Sequence, residues 1–166
     1  MSGLLRNLLT ILCALLARKG GDARTRVACH FWATPLDCGT RVLKSDKYLQ
    51  LAEAAQLDFL ITTRLIGPLL RGSIAFVNAS QLVRFKRPIT MFSRVRVDTE
   101  ILYADDKCAY FSHAFVVAGQ PHAEVLVKMK FKKGPVTVRP ADAVGTCLGT
   151  KPAHLQAWDQ TLEAMP

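Results

Sequence analysis

The chain is short of acid: 13 Asp and Glu stand against 22 Lys and Arg in 166 residues, for a formal net charge of +9. Such an imbalance makes an anionic partner an expectation, whether nucleic acid, a membrane surface or a phosphate-bearing ligand. Nucleic acid is the weakest of these, because few aromatics interleave with the basic residues as a stacking platform requires. The sequence also lacks a glycine-rich phosphate loop and a helix-turn-helix. Cysteine is sparse, odd in number and without C-x-x-C spacing (Cys13, Cys29, Cys38, Cys108, Cys147), so neither a zinc site nor a disulfide framework is encoded. Reduced thiols of a cytoplasmic protein fit this usage. His30, His113, His122 and His154 have no ligand spacing, so no metal and no cofactor is expected. With half of its residues hydrophobic, the chain is long enough for one domain with a genuine core and too short for two.

The longest apolar stretches are helical in period. Leu4–Leu16 is too short to span a bilayer comfortably and carries its positive charge, Arg18-Lys19, after the apolar run, unlike a secretory signal. Its broad leucine stripe, interrupted by Arg6, Asn7 and Thr10, reads as an amphipathic helix. It is suited to packing on the protein's own sheet or a second subunit, or to peripheral contact with a membrane. The run Ser45–Gly72 organises the rest. Tyr48, Leu51, Ala52, Ala55, Phe59 and Ile66 recur at three- and four-residue intervals, and Leu49, Leu60 and Leu65 widen the stripe, so the helix needs cover on most sides. Ser45 suits the N-cap, Asp46 the first turn, and Gly67-Pro68 marks the end.

Around that helix the period is two. Arg26–Ala33 has the β-branched and aromatic content of a strand, and Thr34–Lys44, marked by Pro35 and Gly39, is a loop feeding the helix. Ser73–Pro88 reads as a longer strand. Val95, Val97, Thr99, Ile101 and Tyr103 alternate with charged residues, a turn follows at Ala104–Lys107, and Phe111, His113, Phe115 and Val117 share one face of the next strand. A last strand alternates Ala123, Val125, Val127, Met129 and Phe131 with Glu124, Lys128, Lys130 and Lys132. Pro152–Met165 is a short candidate helix. Three segments result: 1–23 as N-terminal helix and linker, 24–134 as the domain, and 135–166 as a C-terminal extension.

Strand, long helix, then four antiparallel strands is the order of an α+β sheet wrapped around one helix. Trp32, Pro35, Asp37, Tyr48-Leu49 and Phe59, with the later run VRFKRPITMFSRVRVDTEILYADDKCAYFSHAFV, resemble the 4-hydroxybenzoyl-CoA thioesterase-like branch of the hotdog acyl-CoA thioesterases over roughly Val27–Lys133. The resemblance implies a hotdog fold, a thioester substrate such as an acyl-CoA, and a homodimer or higher homo-oligomer with sites between subunits. In that branch a D-x-D loop precedes H-x-N-N-x-x-Y-L at the helix start. Here Asp37 matches the first aspartate, while the second falls at Gly39, or at Cys38 when the match is anchored on Tyr48; Val42–Ser45 replaces H-x-N-N.

Thioester hydrolysis needs a carboxylate, N–H donors at the developing oxyanion and an anchor for the CoA phosphates. Asp37 is the candidate carboxylate, as the only acid in the loop. The residues Ser45, Asp46, Lys47 and Tyr48 offer backbone amides at the positive end of the helix dipole. Arg84, Lys86 and Arg87 are the candidate phosphate anchor, whereas Lys128, Lys130, Lys132 and Lys133 read as a solvated edge. Cys38 reads as an inert loop thiol and His113 as a core residue. The alternative function is a hotdog protein that binds an acyl thioester or acyl chain without turning it over, consistent with the missing second aspartate.

Overall fold

The computed structural model describes residues 3–17, 21–22, 24–144 and 150–166; the Arg18-Lys19 pair and Cys147 lie outside them. The elements are α1 (Gly3–Ala17), β1 (Val27–Trp32), α2 (Ser45–Thr62), α3 (Ile66–Arg71), β2 (Ala75–Phe85), β3 (Arg94–Ala104), β4 (Ala109–Val117), β5 (Gln120–Lys133), β6 (Val136–Val138), α4 (Pro140–Val144) and α5 (Ala153–Glu163). The strands form one antiparallel sheet in the order β1-β3-β4-β5-β2, with β6 against the end of β5. Period-two patterning sets its inner face: Val95, Val97, Thr99 and Ile101 are buried opposite Phe115, His113 and Phe111. The β4–β5 hairpin turns on Ala118 and Gly119, both left-handed at φ 48° and 77°, which suits a two-residue loop between twisted strands.

α2 lies across this inner face, the hotdog arrangement. Phe59 meets Phe111 edge to face at 5.6 Å, and Tyr48 meets Phe115 at 5.3 Å. The expected single helix to Gly72 is in fact two. β-Branched Ile61, Thr62 and Thr63 weaken its end, the Thr63 hydroxyl donates to the Phe59 carbonyl at 2.7 Å, and Arg64 turns left-handed at φ 61°. Gly67-Pro68 therefore does not end the run. Pro68 sits in the first turn of α3, where its missing N–H costs no helical bond.

α1 covers the other side of α2 rather than the face of the sheet, which leaves the second-subunit and membrane expectations to its outward residues. It turns Thr10 and Ala14 inward and leaves Leu8, Leu9 and Leu12 in solvent. The C-terminal segment folds back as α5 onto the outer face of the sheet, where Leu155 and Trp158 pack on Cys108, Tyr110 and Leu126. A polar clasp fixes it. Asp159 accepts from Tyr110 Oη at 2.6 Å and from Lys128 Nζ at 2.9 Å, and pairs closely with Lys151, which also reaches Asp105 at 3.5 Å. Burial opposes ionisation of Asp159, but the bonds from Lys151, Tyr110 and Lys128 outweigh it and hold the carboxyl down at about 2.

His113 is wholly buried, stacked on Phe111, with Nδ1 3.0 Å from Thr99 Oγ1 and no partner for Nε2. Burial lowers its pKa from 6.5 to about 3. The unfolded chain thus binds a proton that the folded chain refuses, so stability falls as pH drops from about 6.5 toward about 3. Chemical denaturation across that window is expected to show this slope in the wild type and a shallower one in His113→Phe. Asp159→Asn removes the charge from the clasp and is expected to cost about 1–3 kcal/mol, read as a lower denaturation midpoint.

Candidate active site

The site begins in the loop that delivers the chain to α2. Thr34–Asp37 forms a turn, with Asp37 N–H donating to the Thr34 carbonyl at 2.9 Å. Cys38 and Leu43 then bridge, and Gly39 N–H donates to the Val42 carbonyl at 2.9 Å, making a small hairpin of residues 38–43. This hairpin is strapped to the β2–β3 connection by Leu43 N–H to Ile89 O at 2.8 Å and Met91 N–H to Arg41 O at 2.9 Å. The strap places the start of α2 beside the end of β2.

Helix α2 opens with Lys44, not Ser45, in the capping position, its backbone extended at φ −68° and ψ 147°. Ser45 is the first helical residue because the Lys44 amide is drawn back to the Asp37 carbonyl at 3.1 Å. No capping side chain bonds the first turn; the Lys47 N–H turns back to the Lys44 carbonyl at 3.0 Å, which leaves the Ser45 and Asp46 N–H groups at the open end of the helix. Ser45 and Tyr48 line a cavity of about 350 Å³ there with Val42, Leu43, Phe85, Lys86, Arg87 and Pro88. The amides of Lys86 and Arg87 both donate to the His122 carbonyl, at 2.8 and 2.9 Å, which fixes the basic pair at the cavity rim. Tyr48 is buried with its ring 5.0 Å from that of Phe85; burial raises its hydroxyl pKa, against a backbone bond from Ile89.

The fold therefore gathers four of the eight expected site residues, Ser45, Tyr48, Lys86 and Arg87, around one cavity. Arg84 is not among them, since it points from the exposed part of β2 opposite Glu124. Asp46 and Lys47 do not line it either: the Asp46 carboxylate faces solvent 3.6 Å from Lys47 Nζ, which itself bonds Gln50. Asp37 is 1% exposed and does not line the cavity; its Oδ2 accepts from Thr34 Oγ1 at 2.5 Å. It stands next in sequence to the buried Cys38, outside the cavity lining. Among the described residues, no three His, Cys, Asp or Glu side chains gather as metal ligands would.

The sequence pattern of the thioesterase-like superfamily matches residues 34–139, the whole span that builds this cavity. The chain belongs to the thioesterase-like superfamily. No curated protein sequence matches it. Solved structures of the same fold do. A gentisyl-coenzyme A thioesterase is 20% identical, with a TM-score of 0.60 over 72% of this chain and 100% of that one. The DHNA-CoA thioesterase of Staphylococcus aureus is 13% identical, with a TM-score of 0.62 over 83% and 91%. The 1,4-dihydroxy-2-naphthoyl-CoA thioesterase of Synechocystis is 15% identical, with a TM-score of 0.57 over 85% and 98%. At these identities the likeness shows the hotdog fold.

One residue of this thioesterase-like protein escapes sequence reasoning. Asp58 is buried on α2 and lines a second cavity of about 350 Å³ with Thr10, Cys29 and Trp32. The available signal was an acid inside the apolar run Leu57–Ile61, three residues past Ala55 and so on a covered face. Cys38 is as unreactive as its setting suggests, because burial and the neighbouring Asp37 raise the thiol pKa against the opposing pull of Lys44. Alkylation at neutral pH followed by peptide mapping is expected to modify exposed Cys13 in the native protein and Cys38 only after unfolding. Equal rates at the two would contradict the buried loop.

Proposed function

We propose that this protein hydrolyses an acyl thioester, of the acyl-CoA class, at the cavity ahead of α2. The supporting observation is the convergence of the uncapped α2 terminus, the Tyr48–Phe85 wall and the Lys86–Arg87 pair on one partly apolar space. Each element has a task. The amides of Ser45 and Asp46 and the helix dipole would hold negative charge as it develops on the thioester oxygen, whereas the Lys47 N–H is committed to the Lys44 carbonyl at 3.0 Å. Lys86 and Arg87 would pair with the phosphates of the carrier, in which Arg84 stands too far round β2 to share. Asp37 is the candidate base, taking a proton from water as the water oxygen bonds the carbonyl carbon. Collapse of that intermediate breaks the C–S bond, and the departing sulfur takes the proton back from Asp37, leaving acid, thiol and the free carboxylate. The CoA thioesterases of like fold support this substrate class.

A second reading, binding without turnover, is favoured by one observation: none of the cavity-lining residues is a carboxylate. The assembly that fits either reading is a homodimer. β2 is an edge strand of the sheet with exposed Val77 and Leu82, an open template for a second copy. The exposed leucines of α1 support peripheral membrane contact, and the free thiols of Cys13, Cys38 and Cys108 support a cytoplasmic setting. Among the described residues no helix is long and apolar enough to cross a membrane. Residues 24–134 form the acting unit in this reading, with 1–23 and 135–166 as additions to it.

Thiol release from short-chain, long-chain and aryl acyl-CoAs tests the proposal. Turnover is expected in the wild type and a loss of at least about 100-fold in kcat for Asp37→Asn, the scale of a missing general base. The Lys86→Ala, Arg87→Ala double variant is expected to raise KM by about 10- to 100-fold with kcat little changed. Turnover indifferent to Asp37→Asn removes that residue from the chemistry. Saturable acyl-CoA binding without thiol release replaces hydrolysis with the binding reading.

A further inference from the structure

α1 presents an inverted face. Asn7, Thr10, Ile11 and Ala14 form the stripe toward α2, while Leu8 is 62% exposed and Leu12 54%. Beside them Leu9 shares a cavity with Trp32, whose indole is on the outer side of the edge strand β1 and 63% exposed. Trp32 pairs in register with Arg94, and the same corner is tied by Phe92 N–H to Ala33 O at 2.8 Å and Ala33 N–H to Ser93 O at 3.0 Å. Phe92 is held left-handed at φ 65° and yet is 67% exposed. A bulky residue in that conformation is strained, and core packing does not repay it here. Leu9 and Trp32 thus form an apolar rim at the free edge of β1, with Leu8 and Leu12 exposed on the same helix and Phe92 bonded to the residue that follows Trp32.

Positive charge borders the rim. His30, Arg94 and Arg96 alternate with the buried Phe31, Val95 and Val97, so they stand on the outer face of the sheet. With the Ala118–Gly119 turn they line a cavity of about 400 Å³, and Arg96 is ion-paired through Nε to Asp98 at 3.1 Å. An apolar, leucine-rich helix face, an aromatic at its margin and arginines just behind it are the chemistry of an interface between acyl chains and acidic headgroups.

We propose that this rim docks the protein on an anionic lipid bilayer, with Leu8, Leu9, Leu12, Trp32 and Phe92 among the acyl chains and Arg94 and Arg96 at the lipid phosphates. The net charge of +9 acts in the same direction at longer range. A second copy fits the rim less well, because a two-fold contact would bring its arginines toward those of the partner. The docking rests on the peripheral membrane contact proposed above and gives it a lipid class, while the surface is separate from the cavity ahead of α2 and does not depend on hydrolysis there.

Flotation of the full chain decides it, using phosphatidylcholine vesicles with and without phosphatidylserine. The protein is expected to float with the mixed vesicles, to stay behind with phosphatidylcholine alone, and to be released by salt. Leu8→Gln with Leu12→Gln should lower partitioning by more than about 100-fold, the loss of two inserted leucines. Arg94→Gln with Arg96→Gln should lower it on the order of 30-fold, from two near-surface charges. All four positions are exposed, and circular dichroism melts matching the wild type would confirm the fold. The proposal is overturned by a failure to float with either vesicle, or by flotation that the leucine pair does not affect. It is also overturned if sedimentation shows that the leucine variant only splits a dimer, which would give the rim to a second copy.

Discussion

A helix with buried residues on more than one face has to be covered from both sides, and the rest of this molecule follows from that need. α2 turns Tyr48, Leu51, Ala55 and Phe59 to the sheet, yet Ala54, Gln56 and Asp58 are buried as well. The sheet curls to meet the first set, and α1 lies over the second. Because α1 meets α2 with small and polar residues, helix and helix approach closely, and the leucines of α1 are left for another surface. The same placement opens the cavities on the α1 side, one beside Asp58 and one where Gln56 donates to Asn78 at 3.2 Å.

The position of the candidate site follows from how α2 is entered. The strap between residues 41–43 and 89–91 brings the helix start against the end of β2. Lys86 and Arg87 then meet Ser45 and Tyr48 although they are far apart in the chain. Those backbone bonds do not involve the side chains at 38 and 39, so the cavity ahead of α2 forms with Cys38 and Gly39 at these positions. Asp37 is buried in that loop, its carboxylate bonded to the Thr34 hydroxyl.

Much of this architecture was legible in the sequence because it is written in periods. Alternation in Arg94–Tyr103 and in Ala123–Lys132 fixed which face is inner, and the spacing of Tyr48, Leu51, Ala55 and Phe59 fixed the helix face that meets it. Local chemistry was harder to read. The end of α2 is decided by a hydroxyl-to-carbonyl bond at Thr63 and a left-handed Arg64, not by the more conspicuous Gly67-Pro68. Leucine spacing in α1 gave an amphipathic helix but not the side it buries, since two helices can pack through alanine and threonine. The docking of α5 rests on a long-range clasp among Asp105, Tyr110, Lys128, Lys151 and Asp159, which no local pattern announces. In the site, the basic pair and the helix terminus were visible as separate features, and only the strap showed that they face one another.

The central claim is that an acyl thioester lies between the first turn of α2 and the Lys86–Arg87 pair. Amide NMR during titration with a non-hydrolysable acyl-CoA thioether tests it directly, because the observed groups are the proposed donors themselves. The account predicts saturable shifts concentrated at Ser45 and Asp46 and at Lys86 and Arg87, lost when both basic residues are replaced by alanine. Shifts centred elsewhere, or binding that leaves the first turn of α2 untouched, would contradict it.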